Sequence, residues 1–270
     1  YKSNFDLAKE DANDIVGEGA AGALSGEGMD YSELDTEVLE NLKTSEQEVL
    51  SSLEENLKEI NKTLGDTDAG VGLWSAFCSN AAKFFTGKDD EYTLFNDSKA
   101  KLKEAKTVAE AEKAIETLKG RIQTQEEGFY GKSYSVKNFK DMTDDEKTTF
   151  RKAYDMAVQK KTIEAEAKEA GTDVPKVNID FQQEIVDKYD PNDTSPTAIS
   201  KQQYEEAKKV VEVYKDIKLD WMDGDDDEIK VYKANKSLMD QANTKLELLK
   251  SKEKTEKNLS DIQSELDKRS

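Results

Sequence analysis

Apolar side chains recur every three or four positions at Leu39, Leu42, Val49, Leu53, Leu57, Ile60 and Leu64, with Glu46 filling one place in the stripe. That spacing predicts an amphipathic helix from about Asp35 to Leu64, with Gly65 as its stop. The next apolar stretch, "VGLWSAFCSNAAKFF" at 71–85, also has helical spacing: Leu73, Phe77, Ala81 and Phe84 share a stripe, flanked by Trp74, Cys78 and Phe85. A third helical region runs from Ser98 to about Glu126. Within it Thr107 and Glu110 form a capping box, so two helices joined near Thr107 are expected.

After an irregular aromatic stretch, "GFYGKSYSVKNF", Thr143 and Glu146 open a helix carrying Phe150, Tyr154, Ala157 and Val158 that ends near Gly171. Ser200 and Gln203 open another, through Tyr204, Ala207, Val211 and Tyr214. After "DGDDDE" the last helix spans about Asp226 to Asp267. Its stripe is Tyr232, Met239, Ala242, Leu246 and Leu249, then Leu259, Ile262 and Leu266. The polar run "KSKEKTEKN" interrupts that stripe, so the terminal turns are expected to fray or to need a partner.

The breakers divide the chain. Five of the fourteen glycines fall in "GEGAAGALSGEG", which makes 1–30 a flexible N-terminal segment and linker. All three prolines, Pro175, Pro191 and Pro196, lie within 171–200, an irregular insertion in which "FQQEIVDKY" has room for a short helix. That leaves 31–170 as a helical body and 201–270 as a C-terminal hairpin or coiled coil. The expected fold class is all-α: elongated helical hairpins or coiled coil with a short Pro-containing insertion.

Composition sharpens this picture. Hydrophobic residues are 35% and charged residues 37% of 270, against usual shares of about 45–50% (counting Gly) and about 25%. Helices this poor in apolar residues cover narrow stripes, which suits hairpins better than a multilayer globule. The formal charge of −19 repels phosphate backbones and anionic lipid heads, so nucleic acid is not an expected partner and other protein chains are. No run approaches the roughly 18 apolar residues of a membrane span. The chain opens on Tyr1, which reads as a trimmed or processed start.

Candidate chemistry is sparse. There is no histidine, which removes Ser-His-Asp and Cys-His nucleophilic systems and the usual zinc sites, and the single Cys78 reads as a small buried hydrophobe. "GKS" at Gly131–Ser133 resembles the end of a phosphate loop, but the glycine required five positions earlier is Glu126. In "DWMDGDDDEIK", setting Gly224 at the sixth position of a calcium loop puts Leu219, Trp221 and Lys230 where oxygen ligands belong. Asp223, Asp225 and Asp227 are then candidates for an irregular divalent site, against a solvated helix N-terminus where acids favour the dipole. A second acidic group, Asp187, Asp190, Asn192 and Asp193, reads as a turn around Pro191. The expectation is no catalytic centre, no metal and no cofactor.

The apolar segment 71–85 has three readings: a helix packed against its neighbours, a partner-binding face, or a membrane element. An interfacial membrane helix carries a basic polar face, whereas this segment offers Lys83 with Asp89, Asp90 and Glu91 close behind. Packing is preferred, with Leu73, Trp74, Phe77, Phe84 and Phe85 as core or interface residues and Phe77→Ala expected to destabilise the protein.

From about Lys160 onward the order is a helix, a Pro- and Asp-rich break ("TDVPKVNIDFQQEIVDKYDPNDTSPTAIS"), and a long polar C-terminal helix containing "KANKSLMDQANTKLELLKS". This layout resembles the hydrophilic translocator proteins of bacterial type III secretion, which form the needle tip or its filament and place a terminal helix in an intramolecular coiled coil. The resemblance covers under half the chain. It implies a secreted, oligomeric, non-enzymatic component that contacts hydrophobic translocators. The rival reading is a bacteriophage internal or scaffolding protein; a bacterial surface stalk or adhesin spacer is third.

Overall fold

The computed structural model describes residues 29–70, 90–224 and 226–270. Among them the chain is all-α, with seven α-helices, three short 3-10 turns and no strand. The helices are α1 (Thr36–Asp66), α2 (Glu91–Glu104), α3 (Val108–Ser133), α4 (Asp144–Ala170), α5 (Asn178–Lys188), α6 (Lys201–Lys215) and α7 (Asp227–Arg269). Contacts divide the chain into two units: residues 1–122 with 227–270, and residues 123–226. The division falls inside α3.

In the first unit, α1 lies antiparallel to α7. Leu39 and Leu42 meet Ile262, Leu53 and Leu57 meet Leu248 and Leu249, and Leu64 packs with Val231 and Leu238. The stripe expected for α1 is the one it buries: Leu39, Leu42, Glu46, Leu53, Leu57 and Leu64 are all inside. For α7 the expected Ala242, Leu249 and Ile262 are buried, while Tyr232, Met239 and Leu246 flank a line that runs through Val231, Ala234, Leu238, Lys245 and Leu248. Its buried face is broadened because α7 packs against α2 as well as α1. Ala111 and Ala114 of α3 complete the same clusters, with Leu118 and Ile122.

Two residues of the polar run 250–258 are covered too. Thr255 and Asn258 are buried on the α7 line, opposite the N-terminal half of α1, so the partner that the last turns need is supplied from within the chain. At the extreme end, the Arg269 guanidinium donates to the carbonyls of Leu34 (2.6 Å), Ser32 (2.9 Å) and Tyr31 (3.3 Å), and Glu265 steadies it at 3.1 Å.

The second unit joins α4, α5 and α6 to the last turns of α3. Ala153 and Met156 of α4, Val177 and Ile179 at the start of α5, and Val210 and Val211 of α6 form its aliphatic core. Composition groups α6 with the C-terminal helix; the contacts instead group it with α4 and α5, because its apolar face fits theirs. Residues 171–200 are irregular except for α5. Gly171, at φ 65, ends α4 in a left-handed cap, with Thr172 N–H donating to the Ala167 carbonyl and Gly171 N–H to that of Lys168. The rest of the break is pinned to α6 by Tyr189, whose ring stacks on Tyr204 at 4.2 Å.

Two boundaries differ from the sequence pattern. α2 starts at Glu91 rather than Ser98, because the Asp90 carboxylate accepts from Thr93 N–H as an N-cap. α3 continues through Gly128 and Gly131 to Ser133, where aromatic burial of Phe129 and Tyr130 outweighs the helix-weakening glycines. The capping box at Ser200 forms as expected, and at Thr143 the hydroxyl accepts from Glu146 N–H and donates to the Glu146 carboxylate. At Thr107 the hydroxyl accepts from Glu110 N–H, while the Glu110 carboxylate reaches the N–H of Lys106, one residue earlier.

Candidate interaction site

Residues Leu73, Trp74, Phe77, Phe84 and Phe85 lie outside the described residues, as does Asp225. Asp223 ends a 3-10 turn and pairs with Lys161 at 2.5 Å, whereas Asp227 sits in the first turn of α7. Among the described residues no three His, Cys, Asp or Glu side chains are arranged to hold a metal ion. Asp190 and Asp193 accept from the backbone N–H of Asn192 and Ser195, each at 2.9 Å, as turn formers do. "GKS" occupies the final turn of α3, a helix end rather than a phosphate-cradling loop. There Ser133 Oγ donates to the Phe129 carbonyl at 2.8 Å and accepts from Trp221 Nε1 at 3.1 Å, and Lys132 lies over the Trp221 ring.

The polar groups that the first unit buries are interhelical fastenings. Lys245, 1% exposed, leaves α7 to donate from Nζ to the carbonyls of Leu102 (2.7 Å) and Lys103 (3.0 Å). These belong to the last turn of α2, whose carbonyls have no partner inside their own helix and carry the negative end of its dipole. Burial pushes the Lys245 amine down to about 8 from its ordinary 10.5. Arg121 of α3 grips the other side of α2, donating to the Leu94 carbonyl at 2.6 Å and to Ser98 Oγ, and pairing with Asp97 at 2.8 Å. Glu253 of α7 accepts from the Val108 N–H at 3.0 Å, satisfying an orphan donor at the start of α3.

Glu46 is the buried anion of the α1–α7 seam, 3% exposed, and accepts from Asn258 Nδ2 at 3.2 Å. Burial raises its carboxyl above the ordinary 4.5, against the opposing pull of the Asn258 hydrogen bond and the Lys254 charge. A carboxyl raised by folding contributes stability that is complete below 4.5 and lost as pH rises through its folded-state value. Glu46→Gln is therefore expected to raise the melting temperature at pH 7 by about 2–4 °C. The gain over wild type should shrink on acidification below pH 4.5. A thermal melt at both pH values checks this, and a variant less stable than wild type at pH 7 would show that the carboxylate itself favours the seam.

In the second unit Tyr130, Tyr134, Phe139, Phe150 and Tyr154 gather in one cluster. The Tyr130 ring meets those of Tyr154 (4.8 Å), Phe139 (4.9 Å) and Phe150 (5.0 Å), and Phe129 lies 5.0 Å from Trp221. Burial raises the Tyr154 phenol to about 12. Beside the cluster, between the start of α4 and α6, a cleft of about 310 Å³ opens. Its inner lining is apolar, from Phe150 and Met142 with half-buried Tyr134 and Val213, and its exposed lining is charged. Lys137 and Glu146 pair there at 2.6 Å, while the side chains of Asp145, Lys209 and Glu212 make no hydrogen bond or ion pair among the described residues.

Of these features the sequence marked Glu46 as a stripe position and the aromatic run as irregular. Lys245, Asn258 and the cleft went unmarked: a lysine and an asparagine in a polar helix carry no signal until the facing helix is known. The arrangement defines an all-α protein whose buried polar groups join helix to helix. Comparison with protein-family models, curated proteins and solved structures gives no match.

Proposed function

We propose that the chain is a non-enzymatic helical interaction protein that works by assembling with other protein chains, including copies of itself. One observation carries this reading: both buried charged side chains among the described residues, Glu46 and Lys245, are engaged in holding one helix against another. Catalytic sites shift ionisable groups and leave them facing a cleft where substrate reaches them. Here Glu46 and Lys245, both shifted by burial, face a neighbouring amide and helix backbone. The finer reading is a secreted, oligomeric tip or filament component of a bacterial secretion system. It is supported by the Pro- and Asp-rich break followed by a long polar C-terminal helix. Among the described residues no helix is long and apolar enough to cross a membrane.

Sedimentation velocity with negative-stain microscopy tests this over a range of concentrations. Concentration-dependent oligomers or filaments are expected in the micromolar range, where many specific protein assemblies form. A monomer that persists at about 100-fold higher concentration would remove self-assembly from the proposal. Closed shells in place of rods or filaments would favour the scaffolding reading over the tip reading.

A further inference from the structure

The cleft between α4 and α6 has the two parts a peptide site needs: an apolar interior of size to take one large side chain, and a charged rim that is not already satisfied. The rim charge decides the partner. With Lys137 and Glu146 neutralising one another, two unpaired carboxylates, Asp145 and Glu212, face one unpaired ammonium, Lys209. We propose that this cleft binds a basic peptide segment of a partner protein, one large apolar side chain entering between Phe150, Met142 and Val213 while an adjacent Lys or Arg pairs with Asp145 or Glu212.

Two further observations agree on the sign. Tyr134, which lines the cleft, has its phenol raised chiefly by burial and then by the negative charges of Asp216 and Glu146, opposed by Lys137. The chain as a whole carries a formal charge of −19, so a basic segment is drawn toward it from solution before the cleft selects it. Val136, 63% exposed, stands between Tyr134 and Lys137, so an apolar residue already sits in the open at the segment that borders the cleft. The proposal shares with the assembly reading only the premise that partners are proteins, and a peptide titration reads the cleft whether or not the chain self-assembles.

The test is a titration of the isotope-labelled full chain with three blocked dipeptides, Phe-Lys, Phe-Glu and Ala-Lys, followed by nuclear magnetic resonance. Phe-Lys is expected to shift the Thr149 and Val213 amides and the Met142 methyl with a millimolar dissociation constant. Phe-Glu should bind about two- to fivefold more weakly, the ratio expected for an exposed ion pair, and Ala-Lys should leave the cleft signals in place. Asp145→Asn with Glu212→Gln, both at exposed positions, should erase the preference for Phe-Lys while Phe-containing peptides still bind. Thr149→Trp, which fills the cleft, should abolish the shifts with the helical circular dichroism unchanged. Absence of shifts at millimolar Phe-Lys, shifts elsewhere on the chain, or equal binding of Phe-Lys and Phe-Glu would each overturn the proposal.

Discussion

Phe150→Ala is expected to destabilise the second unit by about 3–5 kcal/mol, the range for truncating a buried aromatic. The residue is 1% exposed, and its ring meets four others: Tyr130 at 5.0 Å, Tyr134 at 5.1 Å, Phe139 at 5.8 Å and Tyr154 at 6.0 Å. Truncation removes the transfer term, leaves a cavity and breaks ring pairs each worth about 0.5–1.5 kcal/mol beyond area alone. A loss of that size is a large part of the roughly 5–15 kcal/mol that holds a domain folded. Trp221, 5.0 Å from Phe129 in the same unit, is the reporter. A Trp74→Phe background makes it the sole tryptophan of the two in the chain. Urea melts followed by Trp221 emission should show the midpoint falling sharply. Phe181→Ala, at a ring 48% exposed, should change stability by no more than about 0.5 kcal/mol. A Phe150→Ala loss no larger than that of Phe181→Ala would mean the cluster collapses around the vacancy without loss, and the aromatic core would not be what holds this unit.

The same contrast shows what the sequence made legible. α1 could be read almost residue by residue, because its buried positions follow a single line along the helix, most of it against α7, and the 3/4 spacing of its leucines records that line. The N-caps at Thr143 and Ser200, and the stop at Gly171, were legible for a similar reason: a cap is a local contract between residues three or four apart. α7 was legible in existence and length and at Ala242, Leu249 and Ile262, while Tyr232, Met239 and Leu246 lie beside the buried line, because a face that meets α1 and α2 together is wider than one stripe. The polar run 250–258 misled for a physical reason. A buried Asn258 is distinguishable from a solvated one only by the carboxylate opposite it, and Glu46 is 212 positions away. The aromatic run 129–139 misled in the other direction, since two glycines in four residues argue against helix while tertiary burial of Phe129 and Tyr130 enforces it. The grouping of α6 was beyond composition altogether: the break at 171–200 looks like a boundary between domains, yet α5 and the Tyr189–Tyr204 stack make it part of one unit. Residues 71–85, read as packing against their neighbours, lie outside the described residues.

Lys245→Met is expected to destabilise the first unit by about 1–3 kcal/mol at pH 7, through the two carbonyls it leaves without a donor. Methionine keeps the length of the apolar stem of this buried side chain, so the substitution isolates the amine. What is lost are the hydrogen bonds to Leu102 and Lys103 at the negative end of α2. What is gained is relief from burying a charge, which is why the loss is smaller than for a cavity. The pH dependence separates these two parts. Burial lowers the amine to about 8 in the folded protein against 10.5 ordinarily. Between those values the unfolded chain holds a proton that the native state has released, so the stability contributed by this group rises as pH climbs from about 8 to 10.5. The neutral amine still has two N–H groups for the same two carbonyls, so the fastening survives the loss of charge. Methionine has no proton to release, and the stability gap between wild type and Lys245→Met should therefore widen across that interval. Tyrosine titrations in the same range are common to both proteins and cancel in the difference. Urea melts followed by circular dichroism, run on the pair at matched pH from 7 to 10.5, measure the gap directly. Parallel curves would show that Lys245 titrates as an ordinary exposed lysine, and a variant as stable as wild type throughout would show that the α2 carbonyls find another donor.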